Sequence, residues 1–384
     1  MLRIHLIVPR YHTNLDPIVS EFLNLGHEIR IFTFSQSIAE IRKHHRNLEF
    51  IDLNSKNVKF NILTSVRILA KAIRHNTNYS NLNLYFARCE TSKIGISIMF
   101  AIFISRIRHE TVIYTQYPIR KMKFHQSLWK LILKNILHFK YFSQVLDCND
   151  STTINYRSIS EYTNDLSRRL SEFPEFIPLA IPMINLKEVK NSSLVKQKND
   201  FKSFISVVKC EPRKGVSGLI DSFNDFYPLA INKWKLRIIF QVLNEKHEAY
   251  LKFLLNRYGL GTSQNIEIFV NFTTDETREM IGNSDVFILN SIREPASFSH
   301  LEALALHVPI IINRDNGSSN VLPGQFGVQK IADLIHLQKA MFKSDQYFYE
   351  QHLEIGILHA ELEKILGAHT LAKKWLSIAK QTNS

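Results

Sequence analysis

The stretch FISVVKCEPRKGVSGLIDSF, Phe204 to Phe223, runs from a β-branched apolar segment through a loop with three cations to a glycine and an apolar-periodic run. It reads as a strand, a basic turn and a helix from about Val216 to Phe226, half of a strand-helix-strand unit. The pattern continues downstream with LRIIFQV (Leu236 to Val242), a helix from about Glu245 to Tyr258 closed by Gly259, and IEIFV (Ile266 to Val270). A helix near Asp275 to Ile281, DVFIL (Asp285 to Leu289), a helix holding Glu302, and PIIIN (Pro309 to Asn313) complete it. Alternation at this spacing predicts a doubly wound α/β domain. Ligands of such sheets sit outside the carboxyl ends of the strands, so the loops after Val208, Val270, Leu289 and Asn313 are the ones to inspect.

The same pattern opens the chain. HLIVP (His5 to Pro9), the polar turn RYHTNLD, PIVSEFLNLG (Pro17 to Gly26) and HEIRIFTF (His27 to Phe34) read as strand, loop, helix and strand. Pro17 suits a first helical turn and Gly26 a C-cap. Short apolar runs follow at Leu82 to Phe86 and Thr111 to Tyr114, and the region closes at FIPLAIP (Phe176 to Pro182). Lys190 to Asp200 is polar, so the division predicted is an N-terminal Rossmann-like domain over 1–183, a linker over 184–203, a second such domain over 204–350, and a C-terminal helical segment over 351–384.

Length and composition agree with two cores: 384 residues, 45% of them hydrophobic. Met1 to Pro9 lacks the long apolar core of a secretory signal, and the longest near-apolar run, Ile94 to Ser105, falls short of the roughly 20 residues of a spanning helix. The expected location is cytoplasmic. Cys89, Cys148 and Cys210 are scattered, which supports neither a disulfide framework nor a zinc site, and the histidines show no metal spacing. A formal charge of +13 calls for an anionic partner. Nucleic acid is one candidate, but no recognition-helix motif or aromatic-basic strand pattern accompanies the charge, and it is not expected to be the partner.

Three loops carry the candidate chemistry. KCEPRKG, Lys209 to Gly215, puts cations at a strand end before a helix, which fits either a phosphate site or a solvated basic turn. In NSIREPASFSHLEALAL, Ser299 followed three residues later by Glu302 has the spacing of a capping box, the structural alternative to a ligand role for Glu302. Glu294 lies in the strand-end loop, where a carboxylate can grip hydroxyls beside the N–H groups of a helix N-terminus, from about Ser297 through Phe298 and Ser299 to Leu301. RDNGSSN, Arg314 to Asn320, offers Gly317 and small polar residues that either wrap a diphosphate or form a plain turn.

The order of a K-x4-K-G strand end, an E-x7-E segment and a D-x-G loop resembles the glycosyltransferase group 1 proteins, family 4. The resemblance runs from about Phe204 to Gly324, and more weakly over Met1 to Thr33. It implies a GT-B fold, two facing Rossmann-like domains with a central cleft, and a hexosyltransferase-type retaining transfer from a nucleoside-diphosphate sugar, UDP-sugar favoured, with no cofactor and no metal. On that resemblance Lys209 and Lys214 bind the donor diphosphate, Glu294 touches the donor sugar or its phosphate, Glu302 holds the ribose hydroxyls, and Phe269 and Val270 border the base. The N-terminal domain would hold the acceptor through Arg10, His12, Arg88 and Arg120. The chain departs from the family's pattern in three places. RYHTNLD replaces a glycine pair, Glu294-Pro295-Ala296-Ser297 replaces E-P-F-G, and Gln116, Tyr117 and Pro118 stand where a histidine is usual. These changes imply an altered acceptor pocket.

Between Lys121 and Phe142, KMKFHQSLWKLILKNILHFKYF spaces Lys123, Ser127, Lys130, Lys134 and His138 by four, three, four and four residues. That single polar stripe fits either a core helix with one wet edge or a helix lying in an anionic lipid interface, and the excess positive charge favours the interface. The expected function is then transfer to a lipid-linked or cell-surface glycan acceptor, in polysaccharide, lipopolysaccharide or glycolipid synthesis, peripherally on the inner face of the plasma membrane. The alternatives are a sugar-nucleotide epimerase or hydrolase on the same fold, and a basic nucleic-acid-binding protein.

Overall fold

The structure is a computed structural model. It describes residues 2–9, 11, 15–34, 46–53, 62–76, 83–88, 93–107, 111–115, 145–147, 174–176, 201–260, 263–291, 298–314, 316, 322, 327–347, 364 and 367–381. The chain forms two compact units, one of Met1–Ala180 with Leu366–Ser384 and one of Ile181–Ile365. The stretch 121–142 lies outside the described residues. Among the described residues no helix is long and apolar enough to cross a membrane.

Unit 1 holds a seven-stranded sheet in the order β3-β2-β1-β4-β5-β6-β7. The strands are β1 (Arg3–Val8), β2 (Glu28–Thr33), β3 (Leu48–Asp52), β4 (Asn83–Arg88), β5 (Thr111–Thr115), β6 (Val145–Asp147) and β7 (Pro174–Phe176), and every pairing is parallel. Such a sheet is covered on both faces, which is why β1 reads as a nearly continuous apolar run and is buried from Ile4 to Val8. His5 tolerates that burial as a neutral ring. It stacks on Tyr85 with centroids 4.6 Å apart and meets Asn83 Oδ1 at 3.0 Å, while burial lowers its pKa to about 4.

Helix α1 (Asp16–Asn24) has Pro17 in its first turn, and the chain leaves it through Gly26 at φ +78°. Successive side chains of β4 point to opposite faces. Phe86 meets Phe22 of α1 and Trp375 of the C-terminal helix, whereas Tyr85 and Ala87 join the core under α2 (Ile62–Asn76) and α3 (Lys93–Ile104). The C-terminal helix, Ala368–Gln381, packs on α1, and its His369 Nδ1 lies 2.5 Å from Glu21 Oε1.

Unit 2 holds a six-stranded parallel sheet in the order β10-β9-β8-β11-β12-β13. Its strands are β8 (Lys202–Lys209), β9 (Trp234–Gln241), β10 (Ile266–Val270), β11 (Val286–Leu289), β12 (Ile310–Asn313) and β13 (Val328–Ile331). Among the described residues the helices are α4 (Val216–Phe226), α5 (Glu245–Tyr258), α6 (Thr274–Gly282), α7 (Phe298–Ala305) and α8 (Leu334–Gln346), and the C-terminal helix of unit 1 is α9. Caps fix the ends. Asn244 accepts from His247 N, Gly259 follows α5 at φ +58°, and Thr273 and Glu276 form a reciprocal capping box. On one side of the sheet Phe204 stacks on Trp234 at 4.1 Å, and Phe226 packs edge-on against both. Asp345 of α8 accepts from Ile231 N at 2.6 Å, Asn232 Nδ2 at 2.6 Å and Trp234 Nε1 at 2.8 Å, tying the helix to the start of β9.

Candidate functional site

In unit 2 the strand order turns back at β8, whose neighbours are β9 on one side and β11 on the other. The loops leaving the carboxyl ends of β8 and β11 therefore diverge to opposite faces and leave a crevice between them. Lys209, the last residue of β8, is exposed, and Cys210 behind it is buried, with burial pushing its thiol up to about 11. The loop then makes one 3-10 turn, Pro212–Lys214, and reaches Gly215 in the left-handed region at φ +67°. Here the glycine is required twice. A side chain would be strained at that φ, and its Cβ would collide with the Asn290 carbonyl oxygen.

Asn290, the first residue past β11, donates from Nδ2 to the Gly215 carbonyl at 2.9 Å. This bond joins the two sides of the crevice. Lys214, only 7% exposed, is thereby held against the start of α4. Beside it Glu211 accepts from Arg213 Nε at 2.6 Å and lies 3.5 Å from His247 Nε2. Burial raises the Glu211 carboxyl, but Arg213, Lys214 and His247 together outweigh it and hold the group below the usual carboxylate range. The loop thus keeps one internal carboxylate and a surplus of cations.

On the β11 side, α7 begins at Phe298. Ser299 is therefore placed inside the first turn rather than before it. Glu302 turns to α6, where its Oε1 accepts from Arg278 Nε at 3.2 Å, with the two side chains 13% and 29% exposed. Burial pushes the Glu302 carboxyl up, and the Arg278 guanidinium opposes that rise. His300, two residues earlier, is fully buried with no hydrogen bond to either ring nitrogen, and burial lowers its pKa to about 3. Ser291 is also buried, and its hydroxyl has no partner.

At the end of β10, Val270 is 42% exposed and Phe269 lies 5.1 Å from Phe272, centroid to centroid. Asn271 between them has φ +56°, and its Oδ1 accepts from Val242 N at 2.7 Å, so the β9 and β10 ends are pinned together. Asn313, the last residue of β12, and Asn316 beyond it are buried.

The structure thus brings Lys209, Lys214, Phe269 and Val270 to the carboxyl edge of one sheet, while Glu302 lies one turn into α7 against Arg278. Arg10, His12, Arg120, Glu294, Ser297 and Gly317 lie outside the described residues, and of Arg88 and Phe298 the backbone course alone is described. Among the described residues no group of His, Cys, Asp or Glu could hold a metal ion. Arg278, Asn290 and His300 were not anticipated. A signal existed for one of them: Asn290 directly follows the DVFIL strand, a position facing the crevice.

Architecture and site together define the class, a two-unit α/β protein of the GT-B fold. Residues 189–323 match the family model of glycosyl transferases group 1. Solved structures carry the same fold. HepE of Anabaena, determined with UDP and glucose, superposes with a TM-score of 0.73 at 14% identity, covering 99% of this chain and 100% of that one. A trehalose-6-phosphate synthase, a subject of work on glycosyl transfer with retention, gives 0.70 at 13% over 99% of both chains. Sucrose-phosphate synthase of Thermosynechococcus elongatus gives 0.69 at 12%, again over 99% of both. No curated protein matches the chain in sequence.

Proposed function

We propose that the protein is a retaining glycosyltransferase that takes a sugar from a nucleoside-diphosphate donor, UDP-sugar in the first instance, and delivers it to a lipid-linked or glycan acceptor at a membrane surface. The observation that carries the donor half is the cation-bearing β8 loop, closed by Gly215 against Asn290 at the switch point of the sheet, within the segment that matches the family. Cations at such a crevice offset the charge that builds on a departing diphosphate. Lys209 and Lys214 serve that role, Glu302 receives the ribose hydroxyls, and Phe269 and Val270 flank the base. Glu294 approaches the donor sugar, with Ser297, Phe298, Ser299 and Gly317 supplying backbone amides. Arg10, His12, Arg88 and Arg120 belong to the acceptor side. UDP in the HepE structure and retention in the synthase work support this choice of donor and stereochemistry.

The test is a thermal-shift screen of the full chain against UDP, GDP, ADP, CMP and their sugar conjugates at low salt. A ligand at about 100 times its dissociation constant adds roughly 2.7 kcal/mol of stability. The expected result is a rise with one nucleoside diphosphate family, UDP first. No rise with any of them overturns the donor assignment.

A further inference from the structure

On one face of the unit 1 sheet, α2 and α3 bury a shared core but present an outer surface of unusual composition. Arg67, Lys71 and Arg74 are exposed on α2 at spacings of four and three, one line along the helix. Among the described side chains of α3 the exposed ones are Phe100 (41%), Phe103 (51%) and Ile104 (45%), spaced as one face. A helix facing water carries polar groups at such positions. The carboxyl ends of the two helices are joined, because Arg74 Nη2 donates to the Ile104 carbonyl at 2.8 Å. Arg106, just past α3, is exposed at φ +60° and adds a fourth cation. Neither helix contains an aspartate or a glutamate.

We infer that this α2/α3 face docks on an anionic lipid bilayer, with Phe100, Phe103 and Ile104 entering the headgroup boundary and Arg67, Lys71, Arg74 and Arg106 meeting lipid phosphates. Bulky apolar groups beside a basic row, with no acid, are the composition of an interfacial surface. Charge decides between a bilayer and a second copy of the chain. A two-fold copy would set these cation rows against one another with no carboxylate on either helix to receive them, whereas anionic headgroups complement them. This inference rests on the membrane part of the proposed function, not on the donor site, and it names residues other than those of 121–142.

The experiment is co-sedimentation of the full chain with vesicles of phosphatidylcholine alone and of phosphatidylcholine mixed with phosphatidylglycerol. Light scattering of the free protein accompanies it. The protein should bind the mixed vesicles and not the neutral ones. Arg67→Gln with Lys71→Gln should weaken binding about 25-fold, at about fivefold per charge. Phe100→Gln with Ile104→Gln should weaken it at least about tenfold. Thermal midpoints near the parent's would show that both variants fold. Binding to mixed vesicles that survives both pairs of substitutions overturns this surface but leaves membrane association standing. Absence of binding by the parent overturns both, and the nucleotide screen still judges the donor site. A parent dimer that Phe100→Gln and Ile104→Gln convert to monomer, without vesicle binding, assigns the face to a second copy and overturns the lipid inference.

Discussion

Asn290 donates to the carbonyl of Gly215, and its own carbonyl occupies the space a Cβ at 215 would need. Two loops from strands that wind in opposite directions are thereby locked at the one place where the sheet opens. Gly215→Ala should cost about 1–2 kcal/mol from its left-handed φ alone, with the collision against Asn290 adding to it. Chemical denaturation checks the loss. A variant as stable as the parent would mean that the lock has no energetic weight.

Lys214 is buried beside this lock while Lys209 is exposed at the strand end. If Lys214 offsets the leaving diphosphate, Lys214→Met should lower turnover by about 100-fold or more, the usual cost of removing one donor from a developing oxyanion. Circular dichroism should show the fold retained. Near-normal turnover in a folded variant would remove Lys214 from the chemistry.

Arg278 is the group that opposes the rise of the Glu302 pKa on burial. A carboxyl whose folded pKa is raised binds more protons folded than unfolded, so stability falls as pH rises from the unfolded value toward the folded one. Arg278→Met removes the opposing charge and should push that window to higher pH, making the variant's deficit larger at pH 8 than at pH 5. Thermal melts at the two values decide it, and an equal deficit at both would show that the ion pair does not set the protonation of Glu302.

His5 and His300 are buried as neutral rings, with pKa values near 4 and 3. Below the unfolded value of about 6.5 the unfolded chain takes up protons that the folded chain refuses, so stability is full above that value and declines as pH falls toward 4. His300 has no hydrogen bond to lose, so His300→Leu should leave stability at pH 8 near the parent's. It should also flatten the decline between pH 6.5 and 4 by up to about 1.4 kcal/mol per pH unit. An unchanged slope would mean that the ring is hydrated in solution.

Strand-forming runs with short loops were legible because a sheet covered on both faces leaves nearly unbroken apolar segments. IEIFV maps residue for residue onto β10, and the helix read at Val216 to Phe226 matches α4. β3 (Leu48–Asp52) and β13 (Val328–Ile331) escaped notice because LEFID and VQKI carry charges at sheet edges, where one side of the strand is wet. Within the site, the basic loop could be read from composition, since three cations fall within six positions. The partners of its backbone could not. Arg278 reaches Glu302 from a different helix, and Asn290 reaches Gly215 across 75 residues, so neither relation has a local sequence signature. Ser299 and Glu302 have the spacing of a cap, yet α7 starts one residue before Ser299, and tertiary pairing claimed the glutamate.

Helix α9 enters unit 1 after the whole of unit 2 has passed, and its Trp375, 2% exposed, lies 5.0 Å from Phe86 and 6.5 Å from Phe22. During synthesis the second unit therefore has all its strands before the first has its last helix. Until α9 docks, the groove between Phe22 and Phe86 stays open to water. The earliest segment made is the latest to be finished, and a ribosome that stalls before Trp375 would release a chain with a complete second unit and an exposed aromatic slot in the first, a form suited to capture by chaperones.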